Sequence, residues 1–159
     1  MSNRPTSEAD LVPADRPAET EYERDFYSWS IEQGRLIRES RWTAVDRENV
    51  AEEIESLGRE QFAQLESAIR VLLMHMLKWD HQPDRRSRSW TLSIKAQRMR
   101  VDRVLRQNPG LKPRIPEAVE EGYAQARVEA ALETALDEET FPQRCPYSCD
   151  DIVGRDFSV

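Results

Sequence analysis

Apolar residues return at intervals of three and four along most of the chain beyond residue 20, and no segment alternates apolar and polar positions between hairpin turns. That pattern predicts helices and no sheet. Phe26, Trp29, Ile31, Leu36 and Ile37 form a first helical stripe running from about Tyr22 to Ser40. Asp46 is placed to N-cap a second helix, in which Val50, Ile54, Leu57, Leu65, Ile69, Leu72, Met76 and Trp79 recur to about Asp80. At the rise of an α-helix this element is about 50 Å long, more than one small domain needs unless partners flank both halves. Gly58 and Phe62 interrupt its spacing, which predicts a kink or a close helix contact there.

Pro83 stops the second helix, and Ser87 or Ser89 is positioned to cap a third that carries Trp90, Ile94, Val101, Val104 and Leu105. Asn108-Pro109-Gly110 ends it, with a helix breaker followed by a residue free to take positive φ. Pro116 suits the first turn of a fourth helix with the stripe Val119, Tyr123, Ala126, Ala130 and Leu136, and its alanine-rich part, Ala124 to Ala135, favours close packing on a neighbour. Ser148 with Asp151 makes a capping box for a short last helix bearing Ile152 and Val153. The expected fold is therefore all-α: a bundle of four main helices plus a short C-terminal helix, the second helix unusually long. Residues 1–20, with Pro5, Pro13 and Pro17 among polar neighbours, read as a disordered arm, and 21–159 as a single helical domain.

Composition narrows the class further. With 38% apolar and 33% charged residues, collagen-like and fully disordered chains are excluded. No run of eighteen apolar residues exists to cross a membrane, and the N-terminus lacks a signal-like apolar core. Cys145 and Cys149 are too close in sequence for a bridge to close a useful loop, so a reducing, cytoplasmic setting is expected. The sequence has no Gly-rich phosphate loop, no serine nucleophile elbow and no second Cys or His pair at zinc spacing, so neither cofactor nor metal is expected.

The net charge of −7 argues against a protein devoted to nonspecific polyanion binding, but it hides an asymmetry. Between Lys78 and Arg114 stand eleven basic residues and three acidic ones, a net of +8 against −15 for the rest. Charge runs are more often mutually paired than ligand-binding, so pairing with the glutamates of the second and fourth helices is the expectation. The alternative is a polyanion face, with nucleic acid as one candidate partner and Trp90, if exposed, stacking on a base.

Arg70 and His75 fit the loose Arg-x(4-6)-His spelling of the helical HEPN ribonucleases, and this resemblance implies metal-independent RNA cleavage by those two residues. Five residues along an unbroken helix turn the two side chains about 140° apart, so they converge only across a dimer or at a break. Otherwise His75 sits at the border of the core stripe, bonded to a neighbour.

Three stretches together, AEEIESLG at 51–58, LLMHMLKWDHQPDRRSRSW at 72–90 and FPQRCPY at 141–147, resemble the bacterial and cyanobacterial "domain of unknown function 29" family over about Tyr22 to Phe157. The resemblance implies a helical bundle in a bacterial cytoplasm, and it implies no activity and no catalytic residues. It directs attention to the junction of the second and third helices, where His75, Lys78, Trp79, Arg85, Arg86, Arg88 and Trp90, with Arg98 one turn or two beyond, are the partner-binding candidates. At that junction a ligand site competes with a purely structural corner, in which the tryptophans pack and the arginines cap helix-end carbonyls. The functional expectation is a non-enzymatic interaction module. It would take a protein partner or a second copy along the long helix, or an anionic partner along Lys78 to Arg114; a HEPN-like ribonuclease is the alternative.

Overall fold

A computed structural model of the chain describes residues 20–158, so that apart from Thr20 the expected N-terminal arm lies outside the described residues. Asp25 divides the stretch expected as one helix into α1 (Glu21–Arg24) and α2 (Phe26–Arg38), because its carboxylate accepts from the Ser28 amide at 3.0 Å and starts a new helix. α2 ends without glycine: Ser40 takes the left-handed conformation at φ 56°, and the Ser40 and Arg41 amides return to the Ile37 and Leu36 carbonyls in a Schellman closure. A 3-10 turn, Trp42–Ala44, leads to Asp46, which caps the Asn49 amide at 3.3 Å and opens α3 (Arg47–His81). A second 3-10 turn (Pro83–Arg85) precedes α4 (Arg88–Gln107), for which Ser87 is the cap. Pro109–Arg114 forms a third 3-10 turn into α5 (Ile115–Thr134), and α6 (Cys149–Gly154) starts at the Ser148–Asp151 capping box. The architecture is all-α, with no strand among the described residues and no described helix long and apolar enough to cross a membrane.

The described residues fall into two compact units that divide between Glu53 and Ile54, inside α3. In the first, Trp29, Gln33 and Leu36 form the buried face of α2, whereas Phe26, Ile31 and Ile37, expected on the same stripe, are exposed. Asp46 is the hub of this unit: its carboxylate also accepts from the Trp29 indole at 3.2 Å, and its amide donates to the Gln33 side chain at 2.8 Å. Its pKa is held below the ordinary aspartate value, chiefly by the Asn49 side chain.

The second unit is built around the C-terminal half of α3. Leu65, Ala68 and Ile69 are buried on one side, and from Leu72 onward every residue to Trp79 except His75 is buried. A helix apolar on all sides must be surrounded, and here it is. α4 runs back antiparallel, since Asn108 at its end bonds Gln61 while Trp90 at its start meets Lys78. α5 runs parallel to α3, with Arg70 joined to Glu129, Lys78 to Glu133, and Gln82 to the Thr134 carbonyl at 3.1 Å. The C-terminal segment closes the far end of the core, with Phe141 against His81 and Phe157 edge-on to Trp79.

The close helix contact expected near Gly58 is elsewhere. α3 is continuous through Gly58, and a methyl group there would meet nothing within 4 Å. The close approach is at Gly122, one of a series of small buried residues on α5 (Ala118, Gly122, Ala126, Ala130), where a Cβ would lie 3.3 Å from the Arg70 Cβ and 3.4 Å from its Cα. Gly110, expected to use positive φ, does not; the left-handed residues are Ser40 and Ala135. Gly58 and Gly122 therefore respond oppositely to substitution. Gly58→Ala should gain about 0.5–1 kcal/mol of helix propensity, and Gly122→Val should lose about 1–3 kcal/mol to overpacking, moving urea midpoints in opposite directions.

Candidate functional site

The junction residues singled out by sequence are drawn mainly into the packing between elements. Lys78 is buried on α3, yet its ammonium reaches Glu133 on α5 and lies 4.6 Å above the half-buried Trp90 ring on α4. One long side chain thus ties three helices, its stem covered and its charge paired. Trp79 is 4% exposed, with Phe157 edge-on to its ring and the Arg86 guanidinium over it at 5.0 Å. Arg86 also donates from Nε to the Trp79 carbonyl at 3.0 Å, capping the end of α3.

Arg70 and His75 make different contacts. Arg70 is held in its ion pair with Glu129. His75 is half-buried, and its Nδ1 donates to the Val71 carbonyl one turn back at 2.9 Å, which leaves Nε2 as the lone-pair nitrogen. Burial pushes its pKa below the ordinary imidazole value, more than the Val71 hydrogen bond raises it, so the ring is neutral at pH 7. Among the described residues no three His, Cys, Asp or Glu side chains converge as a metal site, and both cysteines are free thiols.

Arg98 fastens α6 to α4, donating from Nε to the Ile152 carbonyl at 2.8 Å and from Nη2 to the Asp151 carbonyl at 3.0 Å. Beyond α6, Asp80 receives both Arg155 Nη groups at 2.8 and 2.5 Å and the Tyr147 hydroxyl at 2.9 Å. Burial alone would raise the Asp80 pKa; the hydrogen bonds from Arg155 and Tyr147 outweigh it and hold the carboxyl below the usual aspartate value.

What remains free is the outward face of α4. Arg88, Leu92, Lys95, Met99, Asp102, Arg103 and Arg106 fall within about 100° of one another on the helix and are all exposed. Leu92 and Met99, 52% and 64% exposed, lie between the cations. The pairing expected of the Lys78–Arg114 segment with glutamates of the fourth main helix is met at its two ends, by Lys78 and Arg114, and not along α4 itself. Glu129 and Glu133 of α5 serve Arg70 and Lys78 of α3, and Glu117 serves Arg114 at 2.5 Å. On α4 the ion pair is internal, Arg106 with Asp102 at 3.0 Å. Among the described residues Arg88, Lys95, Arg100 and Arg103 on α4, with Arg85 before it and Lys112 after it, make no ion pair. The sequence places Lys95 and Arg103 among the cations of the Lys78–Arg114 positive segment but not among the junction candidates, and Met99 in neither set. The available signal was the complement of the buried stripe Ile94, Val101 and Val104 on the same helix.

A family model described as "Domain of unknown function DUF29" matches residues 21–158, and the chain belongs to that family. No curated protein and no solved structure matches it.

The Asp80 cluster has a defined pH signature. A carboxyl whose folded pKa lies below its unfolded value, about 3.9, adds stability that is fully present above that pH and is lost as pH falls through the folded value. Asp80→Asn should therefore cost about 1.5–3 kcal/mol at pH 7, and the gap to wild type in urea unfolding should narrow below about pH 4.

Proposed function

We propose that this member of a family without an assigned activity is a non-enzymatic interaction module that holds an anionic macromolecular partner against the outward face of α4. The observation that carries the reading is the set of exposed, unpaired cations on that helix, flanked in the same fold by glutamates committed to other partners. Unpaired surface guanidinium and ammonium groups keep their full field toward solvent, and Arg88, Lys95 and Arg103 present it along a single line. Within the second unit the residues outside Lys78–Arg114 include fourteen acidic and five basic side chains, so an anion is favoured at the α4 face over the rest of that unit.

The test is fluorescence anisotropy of labelled polyglutamate with the full chain at two salt concentrations, with a labelled single-stranded RNA run in parallel and examined on a gel. Binding should weaken as salt rises. At about 0.2–1 kcal/mol per exposed charge, the triple variant Arg88→Glu, Lys95→Glu, Arg103→Glu should bind about tenfold more weakly or worse, while Arg106→Gln, whose charge Asp102 already occupies, should change affinity by less than about twofold. Equal losses in both variants would contradict the assignment to unpaired cations. RNA cleavage that disappears in His75→Ala would replace the reading with the ribonuclease one.

A further inference from the structure

Beside the α4 face the second unit has an apolar groove of about 400 Å³. Leu72 of α3 forms its floor, fully buried in the core. Met99 and Leu105 of α4 form one wall, and Ile152 and Val153 of α6 the other. The groove exists because Arg98 clamps the two walls together through the Asp151 and Ile152 carbonyls, with its guanidinium over the Phe157 ring at 5.2 Å. Its lips are apolar and open: Met99 is 64% and Val153 60% exposed.

Met99 belongs to both features. It lines the groove, and it stands between Lys95 and Arg103, one helical turn away on either side. Asp102, the acidic residue at the groove, is neutralised by Arg106. Apolar depth bordered by a line of positive charge is complementary to one kind of surface, an amphipathic helix with an apolar stripe between acidic flanks. We propose that the groove between α4 and α6 receives such a segment of an acidic protein partner. The inference rests on the α4-face reading above and deepens it.

Length and chemistry decide between occupants. The stripe from Arg88 to Arg106 covers about 27 Å, the length of a helix of about 18 residues and more than a single groove-sized molecule reaches. Nucleic acid would use the cations and leave Leu92 and Met99 against water, and no exposed aromatic ring stands among the described residues of this face to stack on a base. An acidic amphipathic helix uses both sets of side chains at once, its apolar side chains at i, i+4 and i+7 entering the groove while its carboxylates meet Lys95 and Arg103.

The probe is a labelled 18-residue helix-forming peptide with leucines at i, i+3, i+4 and i+7 between glutamates, compared with a scrambled peptide of the same composition, with polyglutamate of equal length and with single-stranded RNA. The full chain should bind the amphipathic peptide at least about tenfold more tightly than any of the three controls. Val153→Gln, on α6 and off the line of cations, should remove that preference with polyglutamate binding unchanged, and the uncharged Met99→Gln should remove it too, both variants being checked by circular dichroism. Equal affinity for the scrambled peptide, tighter binding of RNA, or an unchanged preference in both variants would overturn the inference and leave the α4-face reading standing. Failure to bind any of the four anions would overturn both.

Discussion

Everything in the second unit follows from the burial of apolar side chains on every side of half a helix. Between Leu65 and Trp79, α3 presents apolar side chains on every side, and the large ones at Leu65, Ile69, Leu72, Leu73, Met76 and Leu77 have no exposure at all. Each is worth about 1.5–3 kcal/mol when taken from water, so a helix of this kind is stable only if other elements surround it. α4, α5 and the C-terminal segment do so. The small side chains of α5 let it approach at Gly122, and a methyl group at that point would already press on Arg70.

The polar residues on this central helix then dictate where charge goes. Arg70 and Lys78 are too covered to be left to water, and a buried cation without a counterion is costly. Glu129 and Glu133 of α5 supply the counterions. Glu129 and Glu133 are thereby committed to α3, and Glu117 is committed to Arg114. α4 keeps an outward face of cations with two large apolar side chains among them, a surface whose chemistry is unfinished within the chain. The same logic explains the junction residues: Trp79, Arg86, Trp90 and Arg98 are consumed in holding α3, α4 and α6 together.

Local rules of spacing and capping were legible in the chain: the Asp46 and Ser87 caps, Pro116 in the first turn of α5, and the Ser148–Asp151 box all stand where side-chain chemistry puts them. Boundaries failed where one residue type can serve two local structures. Asp25 reads as a surface position inside a helix but caps a new one, and Ser40 ends α2 in a conformation usually left to glycine. The site was only half visible because periodicity counts apolar residues without saying which way they face. Leu92 and Met99 are seven residues apart, a spacing that core residues also use, and only the position of α3 shows that they point outward. Likewise the positive segment was plain in the composition, but which of its cations are spoken for depends on how α5 lies against α3.

That division of charge is the central claim, and double-mutant cycles measure it directly. Unfolding free energies of Lys78→Met, Glu133→Gln and the pair should give a coupling of about 1 kcal/mol or more, whereas the cycle of Lys95→Met with Glu133→Gln should give none beyond about 0.3 kcal/mol. A coupling of Glu133 to Lys95 as large as its coupling to Lys78 would contradict the account, because the cations of α4 would then be neutralised within the fold and its outward face would have nothing left to offer a partner.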